Sequence, residues 1–144
     1  MTLTLRLLLA LLGAAAVLIC VSIMTAGAQA TAWMAEKLFS ELTGSQAPLS
    51  EAWPPTMDSE LRFYAALWGA YGAVSLTVAR DFANRGSLVP WLAGVFFLGG
   101  VGRLLSLIAI GPPHPFVTLL MWVELALPPI LVLLWWRSLH RQFL

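Results

Sequence analysis

The most constraining feature of this 144-residue chain is a set of four long, mainly apolar stretches. They cover about 5–28, 61–79, 88–110 and 116–136, and each is long enough to cross a bilayer. Backbone polar groups must be bonded internally in hydrocarbon, and these stretches lack the alternation of barrel strands, so helices are expected. Short polar connections make the last three helices antiparallel neighbours. The sequence predicts an all-α membrane protein, a single integral membrane domain over 1–144 folded as an antiparallel four-transmembrane-helix bundle.

Composition agrees with this class. Hydrophobic residues make up 60% of the chain and charged residues only 10%, whereas soluble domains carry about a quarter charged residues. The formal net charge of +1 excludes the clustered basic surface that a nucleic-acid partner requires. The single cysteine, Cys20, lies in an apolar run and is interpreted as a helix-packing residue. No metal motif or nucleotide-binding loop is found, so no cofactor is predicted.

The first apolar stretch has two interpretations. Arg6 precedes it, and Ala26–Gly27–Ala28 or Ala28–Gln29–Ala30 resembles a cleavage site, features that together are typical of a signal peptide. The run from Leu7 to Ala28 carries no charge and exceeds the length of a signal-peptide core. We therefore expect a permanent first helix.

The distribution of basic residues predicts the orientation of the bundle. With the N-terminus in the cytoplasm, the inner side holds five arginines: Arg6, Arg80, Arg85, Arg137 and Arg141. The outer side then holds Lys37. Because inner loops of membrane proteins are enriched in Lys and Arg, both termini are expected in the cytoplasm.

The long outer connection, 29–59, is predicted to contain a short interfacial helix. Its apolar face would comprise Trp33, Met34, Leu38, Phe39 and Leu42. Its polar face would comprise Glu36, Lys37, Ser40 and Glu41. This pattern is typical of a helix lying in the membrane surface, and the alternative is a loop packed on the top of the bundle. Asp58 and Ser59 are the expected N-caps of the next transmembrane helix.

Two ionisable residues lie inside predicted transmembrane helices, Arg103 in the third and Glu124 in the fourth. Each costs about 2.5–3.5 kcal/mol at mid-membrane, so both are expected to find partners. At ~1.5 Å per residue, Arg103 lies roughly 10 Å and Glu124 roughly 13 Å from the outer ends of their helices. We therefore predict that they form an ion pair. Pro128 and Pro129 lack N–H groups and free the carbonyls one turn earlier, which Arg103 could also bond.

The second transmembrane helix presents a stripe toward this pair. The stripe comprises Tyr64, Trp68, Tyr71 and Ser75, with Glu60 and Arg62 at its outer mouth. Small residues, among them Gly69, Gly99 and Gly102, would let the second and third helices approach closely.

Three functions fit these residues. In the first, Arg103–Glu124 is a structural ion pair within a non-catalytic accessory subunit that contacts another membrane protein or a second copy. In the second, the protein binds a lipid-like or anionic amphiphile in an outward-opening cavity. Five residues would line this cavity: Glu60, Arg62, Tyr64, Arg103 and Glu124. In the third, the chain is a small membrane enzyme with Glu124 as acid/base and Arg103 stabilising charge. Membrane lipid is a partner in every case. The sequence favours the first.

The region from Glu60 to Arg137 resembles a family of small bacterial four-helix membrane proteins, domain-of-unknown-function family 4345. The resemblance is carried by Glu60-x-Arg62-Phe63-Tyr64, Gly102-Arg103-Leu104, Gly111-Pro112-Pro113 and Glu124. It implies a compact bundle in a bacterial inner membrane, and it implies no chemistry.

Overall fold

A computed structural model describes residues 2–140 of the chain, so Arg141 of the predicted inner cluster lies outside the described residues. The described part is helical and contains no strand. The helices are α1 (Thr2–Ala26), α2 (Ala28–Thr43), α3 (Pro55–Arg80), α4 (Phe82–Arg85), α5 (Val89–Ala109) and α6 (Pro115–His140), with a 3-10 turn at Gly86–Leu88 between α4 and α5.

Each predicted transmembrane stretch corresponds to one long helix. Three segments are long and apolar enough to cross a membrane, Leu3–Ala26, Phe82–Ala109 and Pro115–Leu139, which indicates a multi-pass membrane protein. The helix α3 is 26 residues long but does not meet this criterion, because tyrosines, glycines and hydroxyl side chains dilute its apolar residues. It also begins earlier than predicted. Pro55 occupies the first turn, where the missing N–H costs nothing, so Asp58 and Ser59 are not its caps.

The helices α1 and α3 form one closely packed antiparallel pair. A side chain at Gly13 would place its Cβ 2.8 Å from the Gly72 carbonyl oxygen, so the two backbones nearly touch at this crossing. Arg6 Nε donates to the Ala79 carbonyl oxygen at 2.8 Å at one end, and Arg62 Nη1 donates to the Met24 carbonyl oxygen at 2.8 Å at the other. The two helices are therefore bonded to each other at both ends.

The helices α5 and α6 form the second pair, and the two pairs meet mainly at the end where α1 begins and α6 ends, here called the termini end. The buried core lies there and takes residues from all four helices: Leu5, Leu9 and Ala16 of α1, Tyr71, Val78 and Ala79 of α3, Val89, Leu92, Ala93 and Phe96 of α5, and Leu131 of α6. The opposite end, where α2 lies, is called the α2 end.

The predicted short helix in the first connection is present as α2. It starts immediately after Gly27, whose φ of 94° is a conformation that side chains disfavour, so α1 and α2 are separated by one residue. Phe39 faces the bundle, with its ring centroid 5.9 Å from Phe116 and 6.1 Å from His114.

One residue of the predicted polar face of α2, Glu36, is buried instead of exposed. Glu36 is 2% exposed and accepts hydrogen bonds from the backbone N–H and the hydroxyl of Ser50. It thus holds the connection 44–54 against α2. Three apolar residues on α2 remain exposed at 55–77%: Met34, Leu38 and Leu42.

Candidate functional site

The predicted ion pair between α5 and α6 is present. Arg103 Nε donates to Glu124 Oε2 at 2.8 Å. The Glu124 side chain is 10% exposed, whereas that of Arg103 is 39% exposed. The carboxylate is therefore enclosed by the protein, and the guanidinium reaches the edge of the bundle.

Glycines on α5 make room for the carboxylate. A Cβ at Gly100 would lie 3.0 Å from the backbone carbon and from the Cβ of Glu124, which indicates close helix contact. A Cβ at Gly99 would lie 3.8 Å from Glu124 Oε2. Sequence reasoning placed Gly99 and Gly102 at a contact between α3 and α5. The structure instead uses Gly99 and Gly100 beside Glu124, and a side chain at Gly102 would enter open space.

The guanidinium of Arg103 keeps two unused nitrogens. Within residues 2–140, its Nη1 and Nη2 form no hydrogen bond, and Nε bonds Glu124 only. The expected bond from Arg103 to a carbonyl freed by Pro128 or Pro129 is not formed in this part of the chain. Arg103 therefore presents two N–H groups in a planar fork that can bind an oxyanion.

Aromatic rings lie below Arg103, toward the termini end. Trp68 and Tyr71 of α3 stack with their centroids 5.0 Å apart, and Phe96 of α5 lies 5.9 Å from Trp68. The Tyr71 hydroxyl donates to the Leu92 carbonyl oxygen at 3.2 Å and so connects α3 to α5. The predicted α3 stripe thus faces α5 at these positions.

Above the aromatic stack, the facing surfaces of α3 and α5 become exposed. The buried stripe of α5 runs through Val89, Ala93, Phe96 and Gly100 and continues by helical spacing to Arg103. The stripe of α3 continues to Tyr64, which is 57% exposed and contacts Phe63. Helical spacing places Tyr64 of α3 and Arg103 of α5 on the facing sides of the two helices, and we call the region between them the α3–α5 cleft.

Two of the predicted cavity residues have other surroundings. Arg62 Nε donates to Asp58 Oδ2 at 2.7 Å, and Asp58 Oδ1 accepts the Ala28 N–H at 3.0 Å. These contacts join the start of α3 to the corner between α1 and α2. The Arg62 guanidinium and the Ala28 N–H hold the pKa of the Asp58 carboxyl below its usual value. Glu60 is exposed and forms no ion pair within residues 2–140.

Sequence reasoning therefore missed the role of Asp58, which caps α2 rather than α3. Its spacing of four residues from Arg62 was an available signal, since such pairs meet on a helix surface. Among residues 2–140, no group of three or more His, Cys, Asp or Glu residues could hold a metal ion.

Comparison with known proteins gives the family and little else. No curated protein and no solved structure matches the chain significantly. The model of one protein family, Domain of unknown function (DUF4345), matches residues 4–136 and so takes in α1 and α2 as well as the region between Glu60 and Arg137. Because that match spans nearly the whole chain, including Arg103, Gly100 and Glu124, the protein belongs to the DUF4345 family.

Proposed function

We propose that this protein is a four-crossing inner-membrane protein, without catalysis, that binds the anionic head group of an amphiphile at Arg103. The binding role rests on the hydrogen bonding of the Arg103 guanidinium. Its Nε bonds Glu124 at 2.8 Å, while its two terminal nitrogens have no acceptor within the described residues. The amphiphile would enter through the α3–α5 cleft.

The fourth crossing is α3. Its 26 residues span ~39 Å at ~1.5 Å each, which exceeds the ~30 Å of bilayer hydrocarbon. Because Arg6 and Arg62 bond it to both ends of α1, α3 has to cross whatever thickness α1 crosses. No charged residue lies between Arg62 and Arg80. The arginines at the termini end support placing that end in the cytoplasm of a bacterial cell.

Site-specific labelling tests this topology. With Cys20 replaced by Ala, single cysteines at Ser45 and Ser87 would report the two connections that flank α3. We expect a membrane-impermeant maleimide applied from outside to label Ser45→Cys, and to label Ser87→Cys only after permeabilisation. Labelling of both from the same side would mean that α3 does not cross.

The proposed topology also predicts the position of α2 relative to the membrane. Because Met34, Leu38 and Leu42 are exposed and α2 starts one residue after α1, these side chains would enter the outer leaflet beside the first crossing.

The ligand class follows from charge and depth. Arg103 lies ~9 Å below the end of α5 at Ala109, so its terminal N–H groups are in a medium that supplies few acceptors. Glu124 compensates one positive charge, but it satisfies only one guanidinium nitrogen. A phosphate or carboxylate head group would bond the remaining fork in bidentate geometry, with its chain along the exposed apolar surface of α3.

An acid/base role for Glu124 receives less support. The Glu124 carboxylate is 10% exposed and already accepts the Arg103 Nε–H at 2.8 Å, so a substrate would have to displace this contact to reach it.

Binding of dodecyl phosphate tests the proposal. The double variant Arg103→Gln/Glu124→Gln removes both charges without leaving either one unpaired in the bundle. The matched control, Arg85→Gln/Asp81→Asn, removes a surface ion pair of 3.3 Å between α4 and the residue that precedes it. Loss of charge-assisted hydrogen bonds should weaken binding of the full chain in a neutral detergent by about tenfold or more. The control should bind as the wild type does.

Native mass spectrometry of each variant, titrated with dodecyl phosphate and with zwitterionic dodecylphosphocholine, gives the affinities. Equal affinity of both double variants for dodecyl phosphate would refute a binding role for Arg103.

A further inference from the structure

A second feature lies on the opposite half of the α5–α6 pair. An apolar groove of about 570 Å³ runs between the first half of α5 and the last half of α6. Its walls include Pro90, Gly94 and Phe97 of α5 and Pro129, Leu133 and Trp136 of α6. The Arg103–Glu124 pair does not line it.

The sequence explains why this space is open. Pro128 and Pro129 lie inside α6 and remove two N–H donors from its hydrogen-bond ladder. A proline ring inside a helix also clashes with the carbonyl group of the preceding turn. On the facing helix, a Cβ at Gly94 would meet nothing within 4 Å. A proline pair opposite an uncrowded glycine thus leaves the groove between two helices that otherwise pack closely.

The groove is placed to receive hydrocarbon. Both helices that form it belong to candidate membrane-spanning segments. From Pro128 to Trp136 the groove extends ~12 Å along α6, which is close to the ~15 Å hydrocarbon depth of one leaflet. Its lining side chains are apolar apart from the Trp136 N–H.

An exposed arginine follows the groove along α6. Arg137 follows Trp136, lies one turn beyond Leu133 and is exposed. Two other arginines at the termini end are engaged, since Arg6 bonds the Ala79 and Arg80 carbonyl oxygens and Arg85 pairs with Asp81. Arg80 ends α3 and does not line the groove. The structure gives Arg137 no ion pair within residues 2–140. A phosphate at the mouth of the groove would therefore meet an available guanidinium.

We propose that the groove binds one acyl chain of an anionic glycerophospholipid from the leaflet at the termini end, and that Arg137 binds its phosphate. This site is separate from the α3–α5 cleft and does not depend on the function proposed for Arg103.

The test uses the full chain in nanodiscs of mixed phosphatidylglycerol and phosphatidylcholine, released for native mass spectrometry. We expect one retained phosphatidylglycerol on the wild type. Gly94→Phe fills the groove and should abolish retention. The control, Leu105→Phe, adds the same ring on the same helix face about three turns away, where Leu105 is 62% exposed, and should retain the lipid. Arg137→Gln should lower the preference for phosphatidylglycerol by about fivefold, and Arg85→Gln should not.

Crosslinking of the unmodified protein keeps the test decisive if Gly94→Phe fails to fold. A phosphatidylglycerol with a diazirine in its acyl chain should label the peptide that contains Gly94 and Phe97. Labelling confined to other peptides, equal lipid retention by Gly94→Phe and Leu105→Phe, or a wild-type dimer that Gly94→Phe converts to a monomer would each overturn the proposal. Arg103→Gln/Glu124→Gln should retain this lipid, which separates the result from that of the Arg103 site.

Discussion

Two arginine–carboxylate pairs at the α2 end have nearly the same geometry and different surroundings. Arg62 lies 2.7 Å from Asp58, and Arg103 lies 2.8 Å from Glu124. Both arginine side chains are 39% exposed, but the carboxylates are 36% and 10% exposed respectively. The first pair joins neighbouring turns of one helix, and the second joins two helices at membrane depth. The burial of the carboxylate, rather than the length of the bond, determines how much each pair matters.

The largest effect should follow from leaving Glu124 without its partner. Arg103→Leu leaves a buried carboxylate unpaired, and we expect a loss of about 3–5 kcal/mol in the free energy of unfolding. Arg103→Leu/Glu124→Leu should recover most of that loss, because two apolar side chains are compatible with hydrocarbon. Reversible unfolding in mixed micelles measures both. A double variant as unstable as the single one would show that the pair contributes more than mutual neutralisation.

A smaller loss should follow from crowding the buried pair. Gly100→Leu places atoms against the Glu124 backbone, where a Cβ already comes within 3.0 Å, and should cost about 1–3 kcal/mol. Gly102→Leu is the matched control, since its side chain enters open space. The same unfolding assay should find the control at least as stable as the wild type. Equal destabilisation by both variants would contradict close packing at Gly100.

The exposed pair should give the smallest effect, visible mainly as a pH dependence. The pKa of Asp58 is lowered in the fold by its bonds to Arg62 and Ala28. Its stabilisation should therefore be complete above the ordinary carboxyl pKa of 3.8 and decline as the pH falls through the lower folded value.

Asp58→Asn should accordingly melt slightly below the wild type at pH 7, and the difference should shrink as the pH falls below 3.8. Thermal unfolding of both proteins across this range is the measurement. A difference that persists unchanged at low pH would assign the stabilisation to hydrogen bonding that does not require the charge.

The main helices and the buried ion pair could be predicted from the sequence alone. The four long helices were predictable because hydrocarbon requires long apolar segments, and the ion pair because two costly charges at similar depth need each other. Depth along a helix is read directly from residue number. Rotation of one helix against another is not, so Gly69 contacts α1 instead of α5, and Gly99 lies beside Glu124 of α6 instead of against α3.

Contacts formed by the chain outside the long helices were also unpredictable. Glu36 looked like a solvated residue on a polar face, but the returning connection covers it and supplies Ser50 as its partner. Asp58 looked like a cap for its own helix, but the turn at Gly27 brings the first N–H of α2 to it. Both depend on where a distant segment lies, which local patterns do not encode.

The proline pair in α6 has a mechanical consequence. Pro128 and Pro129 lack the N–H groups for two backbone hydrogen bonds, and their absence lowers the bending stiffness of α6 just beyond Glu124. The segment on one side is fastened to α5 by the bond to Arg103, and the segment on the other is anchored in the core by Leu131. A change of the helix angle at Pro128 and Pro129 can therefore match α6 to a thinner or thicker bilayer. Such a change leaves the ion pair intact on one side of the prolines and the core packing intact on the other.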